Sequence, residues 1–306
     1  MRILVPIDGS KHGQAAVHFV ASRSTLAGSA PQIEVLNVQL PVPARAARVV
    51  GREVVRSYYD EAAKRALKPA RAVLKKAGVE ASTAMRVGHA PDEIAAAAAR
   101  QDSDLIVMGS HGHGAFAGMI LGSVTQGVLA RSTVPLLVLR GHAVGRADKK
   151  EGQPDSLKVG IAVDGSRFGK EAVKYVLRHR ALFGAAPQFT LLHVVSDFAG
   201  AVMPDMAGIA LPALSAAEIK ALQARAFDAA VGPMCKQFDK AGVPVQAVAL
   251  VGNPGDEIAV WAKKNKLDVL VIGSHGYGVF KAALLGSVAT RVAAHCETPL
   301  LIVKAR

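Results

Sequence analysis

The stretch Ile3-Leu4-Val5-Pro6-Ile7-Asp8-Gly9-Ser10 is an apolar, β-rich run ending in a turn, and it returns 156 positions later as Val159-Gly160-Ile161-Ala162-Val163-Asp164-Gly165-Ser166. Two more segments repeat: Val87-Gly88-His89-Ala90-Pro91-Asp92-Glu93-Ile94 reappears as Val251-Gly252-Asn253-Pro254-Gly255-Asp256-Glu257-Ile258, and Met108-Gly109-Ser110-His111-Gly112 as Ile272-Gly273-Ser274-His275-Gly276, both 164 positions on. Self-similarity on this scale means that a whole folding unit is duplicated, and 306 residues suit two domains of about 150. We place the first at 1–142, a polar linker at 143–156 and the second at 157–306. The change of offset puts an eight-residue insertion in the second copy, within Ser196–Leu214.

Around these anchors each copy alternates short Val/Ile/Leu runs with helical segments. The first copy predicts strands at Ile3–Ile7, Ile33–Val38, Val79–Met85, Leu105–Met108 and Leu136–Leu139, with helices near 11–27, 50–77, 90–100 and 122–132. The second predicts strands near 158–163, 189–195, 243–250, 268–272 and 299–303. Strands that are apolar throughout, separated by helices, indicate a parallel sheet covered on both faces, hence a doubly wound α/β fold. Pro69 and Pro233 fall at matching places inside the long helix, where a kink is expected.

Composition narrows the function classes. The formal net charge is +13, but residues 1–142 hold 17 Lys/Arg against 10 Asp/Glu and residues 157–306 hold 17 against 11, so the excess is spread evenly. Aromatic residues are only 5%. A diffuse charge with few stacking platforms disfavours specific nucleic-acid binding. No apolar run approaches the ~18 residues of a membrane span, and nothing at the N-terminus reads as a signal peptide. The two cysteines, Cys235 and Cys296, suit free thiols in a reducing cytoplasm.

In open parallel sheets, ligands bind beyond the carboxyl ends of the strands. Two loops fall there. The one after strand four reads Gly109-Ser110-His111-Gly112, nine residues, then Gly122-Ser123; its twin reads Gly273-Ser274-His275-Gly276, nine residues, then Gly286-Ser287. Glycines let a backbone approach an anion closely, and Ser123 and Ser287 fall at the N-cap region of the next helix, where unpaired N–H groups and the helix dipole favour phosphate. The loop after strand one carries Asp8 and Asp164. They suit a hydrogen bond to an adenine amino group or a ribose hydroxyl, or the capping of the following helix through Asp8-Gly9-Ser10. No G-x-x-x-x-G-K-[ST] and no strand-linked G-x-G-x-x-G occurs. A metal site from His111 and His113 is disfavoured, because Tyr277 replaces His113 in the second copy.

With those residues in hand, each half resembles a universal stress protein domain, whose motif G-x2-G-x9-G-[ST] both copies match in full. The resemblance implies two tandem Rossmann-like units, each a five-stranded parallel sheet in the order 3-2-1-4-5. It implies ATP as the ligand, with any Mg2+ held by the phosphates. Around adenine and ribose it places Ile7, Asp8 and Val38 in copy one, and Val163, Asp164 and Val194 in copy two. Along the phosphates it places Met108, Gly109, Ser110, His111, Gly112, Gly122, Ser123 and Val124, and in copy two Ile272, Gly273, Ser274, His275, Gly276, Gly286, Ser287 and Val288. Ala162 replaces Pro6, and the longer 196–214 loop bears on access to the second site. The first phosphate loop has no lysine and the second has one, Lys281. With no general base in the motif beyond His111 and His275, a sensor or binding module is favoured over a slow ATPase or phosphotransferase in which those histidines would position water. A ligand-free adaptor is the third alternative. Members of this family commonly dimerise through strand five. The two copies, joined by a short linker, are therefore expected to pair strand five to strand five as a pseudo-dimer, with room for a further homodimer.

Overall fold

The chain begins with β1 (Arg2–Ile7), whose residues after Arg2 are all buried, and α1 (Lys11–Ala21). There follow β2 (Gln32–Gln39), α2 (Ala44–Val50), α3 (Arg52–Lys76), β3 (Ser82–Val87), α4 (Ala90–Arg100), β4 (Leu105–Gly109), α5 (Ser123–Arg131) and β5 (Leu136–Leu139). The second half runs β6 (Lys158–Ala162), α6 (Arg167–Arg178), a short 3-10 turn (Arg180–Phe183), β7 (Gln188–Val195), α7 (Ala216–Lys240), β8 (Val245–Val251), α8 (Pro254–Lys264), β9 (Val269–Gly273), α9 (Ser287–His295) and β10 (Leu300–Val303). This computed structural model describes residues 1–23, 31–110, 121–140, 156–197, 215–276 and 284–305. The 196–214 insertion and the linker lie almost wholly outside the described residues.

All ten strands form one sheet in the order β3-β2-β1-β4-β5-β10-β9-β6-β7-β8. Each half is parallel and follows the expected order; the halves join where β5 and β10 run antiparallel. Leu137 stands opposite Leu301, its own repeat equivalent, with Leu136 opposite Ile302 and Val138 opposite Leu300. A register that pairs a residue with its equivalent is what a two-fold axis generates. Here one chain supplies both partners. The expected strand-five pairing is thus the middle of the sheet, and both strands are fully buried. Each fully buried leucine there contributes about 1.5–3 kcal/mol.

Helices α1, α3, α6 and α7 cover one face of this sheet, and α4, α5, α8 and α9 cover the other. Burial falls off at the margins. The edge strands β3 and β8 have no fully buried residue, because each has a neighbour on one side only. The continuous both-face burial expected of every strand holds for the inner ones.

Three local differences from expectation have physical causes. Helix α1 stops at Ala21, short of 27. The helix expected over 50–77 runs Arg52–Lys76, and an unexpected helix, Ala44–Val50, precedes it, the two separated by Gly51, whose φ of 86° is a left-handed conformation. Strand three begins at Ser82 because Val79 still belongs to the exit of α3, its N–H donating to Leu74 O at 2.9 Å. Pro69 and Pro233, where a kink is expected, each lie inside a continuous helical span, on its solvent-exposed side. Among the described residues, no helix is long and apolar enough to cross a membrane.

Candidate functional site

In the second half the loops beyond β6, β7 and β9 meet the starts of α8 and α9 around a cavity of about 530 Å³. Val163, Asp164, Val194, Ile272, Gly273, His275, Gly276, Gly286, Ser287 and Val288, all named from the sequence, line it together. Ser274 lies beneath rather than on the wall: it is 2% exposed, and its N–H donates to Val303 O at 2.8 Å.

Asp164 Oδ1 accepts the Ser166 backbone N–H at 2.9 Å, and Asp8 Oδ1 accepts that of Ser10 at 2.9 Å. The helix caps are the serines. Ser10 Oγ accepts from Gly13 N–H at 3.1 Å and Ser166 Oγ from Gly169 N–H at 3.3 Å. Capping, one of the two roles open to the aspartates, thus falls to Ser10 and Ser166, and the aspartates fold the loop onto itself instead. Glycines press on the Asp164 carboxylate from two sides. A Cβ added to Gly276 would stand 2.6 Å from Oδ2, and one added to Gly169 would stand 3.3 Å from Oδ1. Any side chain at 276 would displace the carboxylate.

The glycine loop closes through Gly286 N–H donating to Ser274 O at 2.8 Å, and Gly122 N–H does the same to Ser110 O at 2.8 Å. Gly122 and Gly286 are themselves the N-caps of α5 and α9, so Ser123 and Ser287 are the first helical residues, one step inside the expected cap. Their φ values, −62° and −64°, suit any residue. Space, not conformation, calls for glycine: a Cβ at Gly286 would stand 3.1 Å from His275 Cα. Neither cap residue offers a side-chain acceptor to the first-turn N–H groups, which leaves those donors and the positive dipole end facing an anion position. Gly109 and Gly273 answer chiefly to packing, since an added Cβ would strike His12 O at 2.6 Å and Phe168 Cβ at 2.7 Å.

The described residues of the first half stand at the matching places on its own elements. Ile7 ends β1 and Asp8 follows it, Val38 lies in β2, Met108 and Gly109 end β4 and Ser110 follows, and Gly122 caps α5, which Ser123 and Val124 open. His111 and Gly112 lie outside the described residues. Asn37 Nδ2 donates to Ile7 O at 2.8 Å, and its equivalent His193 places Nδ1 2.8 Å from Val163 O, so each pins the carboxyl ends of strands one and two together.

The sequence did not single out Ala162, Gly169, His193, Pro254, Ile258, Leu285 and Ala289, which also line the cavity. Two signals were available: Gly13 recurs as Gly169 at the same 156-residue offset, and Pro254 to Ile258 belong to a repeated segment. The described cavity wall contains no lysine or arginine, and Lys281 of the glycine loop lies outside the described residues. The His275 ring meets that of Phe168 at a 45° tilt, centroids 5.3 Å apart, with Nδ1 3.1 Å from Ser274 Oγ. Among the described residues, no three His, Cys, Asp or Glu side chains group as a metal site would require.

Comparison with known proteins gives a consistent result. The profile of the universal stress protein family matches residues 1–140 and 157–304. A universal stress protein of Mycolicibacterium smegmatis is 25% identical over 324 residues, spanning 99% of this chain and 97% of its own length. One from Methanocaldococcus jannaschii is 32% identical over 147 residues, spanning 48% of this chain and 81% of its own. Among solved structures, a universal stress protein from Archaeoglobus fulgidus superposes with a TM-score of 0.65 over 99% of this chain and 96% of that chain, at 20% identity, a likeness of fold.

Proposed function

The chain belongs to the universal stress protein family, and from that premise we propose that each half binds ATP and that the protein works as a nucleotide-dependent sensor or binding module in a stress response. The observation that carries this is the second-half cavity, lined by both a carboxylate and an uncapped helix start. Its volume lies within the roughly 300–1,000 Å³ of small-molecule pockets. Val194, Ile272 and Leu285 offer an apolar slot for a base, Asp164 an acceptor for an amino or hydroxyl group, and the start of α9 a seat for phosphate. Any Mg2+ would be held by the phosphates, since Asp164 is the cavity's one described carboxylate. The reducing cytoplasm suits the two unbridged thiols, Cys235 and Cys296.

A binding role is the first reading: among the described residues the wall holds no lysine or arginine to neutralise charge developing on a transferred phosphoryl group, and Lys281 of the glycine loop lies outside them. His275, lining the cavity beside the loop, supports slow hydrolysis as the second reading. Mass spectrometry of the nucleotide that co-purifies, followed by equilibrium titration and an ADP-release assay, separates the two. We expect two ATP per chain and no turnover; a chain that binds no adenine nucleotide overturns the proposal.

The aspartates give a finer test. In Asp8→Ala with Asp164→Ala, adenosine affinity should fall about tenfold or more, the worth of a hydrogen bond to a charged group. Inorganic triphosphate should bind within about twofold of wild type. Asp→Asn, which keeps the acceptor for Ser10 or Ser166, separates ligand recognition from loop folding. Equal loss for both ligands would show that the aspartates do not read the nucleoside.

A further inference from the structure

The residue after the last strand of each half is a cation, and each reaches across the centre of the sheet. Arg140, following β5, donates from Nη1 to Cys296 O at 2.7 Å and from Nη2 to Ala293 O. Lys304, following β10, donates from Nζ to Ser132 O at 2.7 Å and to Leu129 O. Donor and acceptors are all related by the same 164-residue offset, so one contact is made twice, in opposite directions. The acceptors lie at the carboxyl ends of α9 and α5, where backbone carbonyls lack helical partners and the dipole is negative. Each half therefore caps the other half's helix.

Those two helices begin at the phosphate loops, at Gly122 and Gly286. The cations are also anchored to the loops of their own halves. Ser110 N–H donates to Leu139 O, the neighbour of Arg140, at 2.8 Å, and Ser274 N–H donates to Val303 O, the neighbour of Lys304, at 2.8 Å. From the second loop the path runs Ser274, Val303, Lys304, then along α5 to the first loop. The reverse path runs Ser110, Leu139, Arg140, then along α9.

We infer that the two nucleotide sites are coupled with positive cooperativity through the reciprocal Arg140 and Lys304 caps. This rests on the nucleotide reading above. Filling one site fixes its loop, the adjoining cation and thereby the far helix, so the second ligand meets a helix whose ordering cost is already met. Linkage makes the effect equal in both directions.

Calorimetric titration of the full chain with ATP tests this. The wild type should bind its second equivalent about fivefold or more tightly than its first, near the lower end of known couplings. Arg140→Met with Lys304→Met keeps the apolar stems and should bring the intrinsic affinities within about twofold. Lys304→Arg should retain the cooperativity. A second measurement stands if the double variant folds poorly. In Gly122→Val, which blocks the first site, ATP at the second should still slow amide exchange across 126–131 of α5. Independent sites in the wild type, or no slowing in α5, overturn the coupling and leave the nucleotide reading intact. Cooperativity that survives the double variant overturns the cation route. Absence of any ATP binding overturns both.

Discussion

Placing lysine at both Leu137 and Leu301 should part the two halves of the molecule. These residues face each other at the antiparallel centre of the sheet, and both are 0% exposed. Each substitution buries an ammonium without a partner, at an effective cost of several kcal/mol. Like charges directly opposite on neighbouring strands add repulsion. Together these costs approach or exceed the ~5–15 kcal/mol that holds a whole domain. The expected outcome is a larger radius in small-angle scattering and two melting transitions. The milder pair Leu137→Ala and Leu301→Ala should stay compact and lose about 2–5 kcal/mol per site. A lysine double variant that remains compact with a single transition would mean that the halves are held elsewhere.

The second large effect is at the helix starts. Gly286→Val should weaken ATP binding at the second site about a hundredfold, equivalent to roughly 2.7 kcal/mol. The backbone there is not left-handed, so the loss would not arise from strain; the added Cβ stands 3.1 Å from His275 Cα and its methyls enter the anion position. Gly122→Val should do the same at the first site. With ATP at a hundred times its Kd, each filled site adds about 2.7 kcal/mol of stability, so ATP-dependent stabilisation should fall in steps, single variant then double. Unchanged stabilisation in the double variant would remove the site from this position.

Much of this architecture is legible in the sequence because it is written twice. The 156- and 164-residue offsets pick out both candidate sites, and the apolar last strand of each copy, taken with the family resemblance, led to the expected β5–β10 pairing. Helix α2 was missed because none of its residues is buried, so it carries no apolar period to detect. Nothing in the sequence separates Ile258, Leu285 and Ala289 from ordinary core residues; that they also face a cavity depends on how far α8 and α9 stand from the sheet, which no local pattern encodes. The aspartates illustrate a finer limit. Asp-Gly-Ser offers two side chains that can cap, and only the three-dimensional turn assigns the cap to the serine.

The direction of strands at the join bears on how such a chain arises. β5 runs against β10 while β6 runs with it, so the carboxyl end of β5 and the amino end of β6 lie on the same side of the sheet. Three inter-strand steps, about 14 Å, separate them laterally. Two separate subunits assembled this way can be joined end to end without rethreading a strand, so gene duplication and fusion demand no refolding of either copy. Conversely, a protease that severs the connection should release nothing, because the fragments remain interlocked through the middle of a continuous sheet.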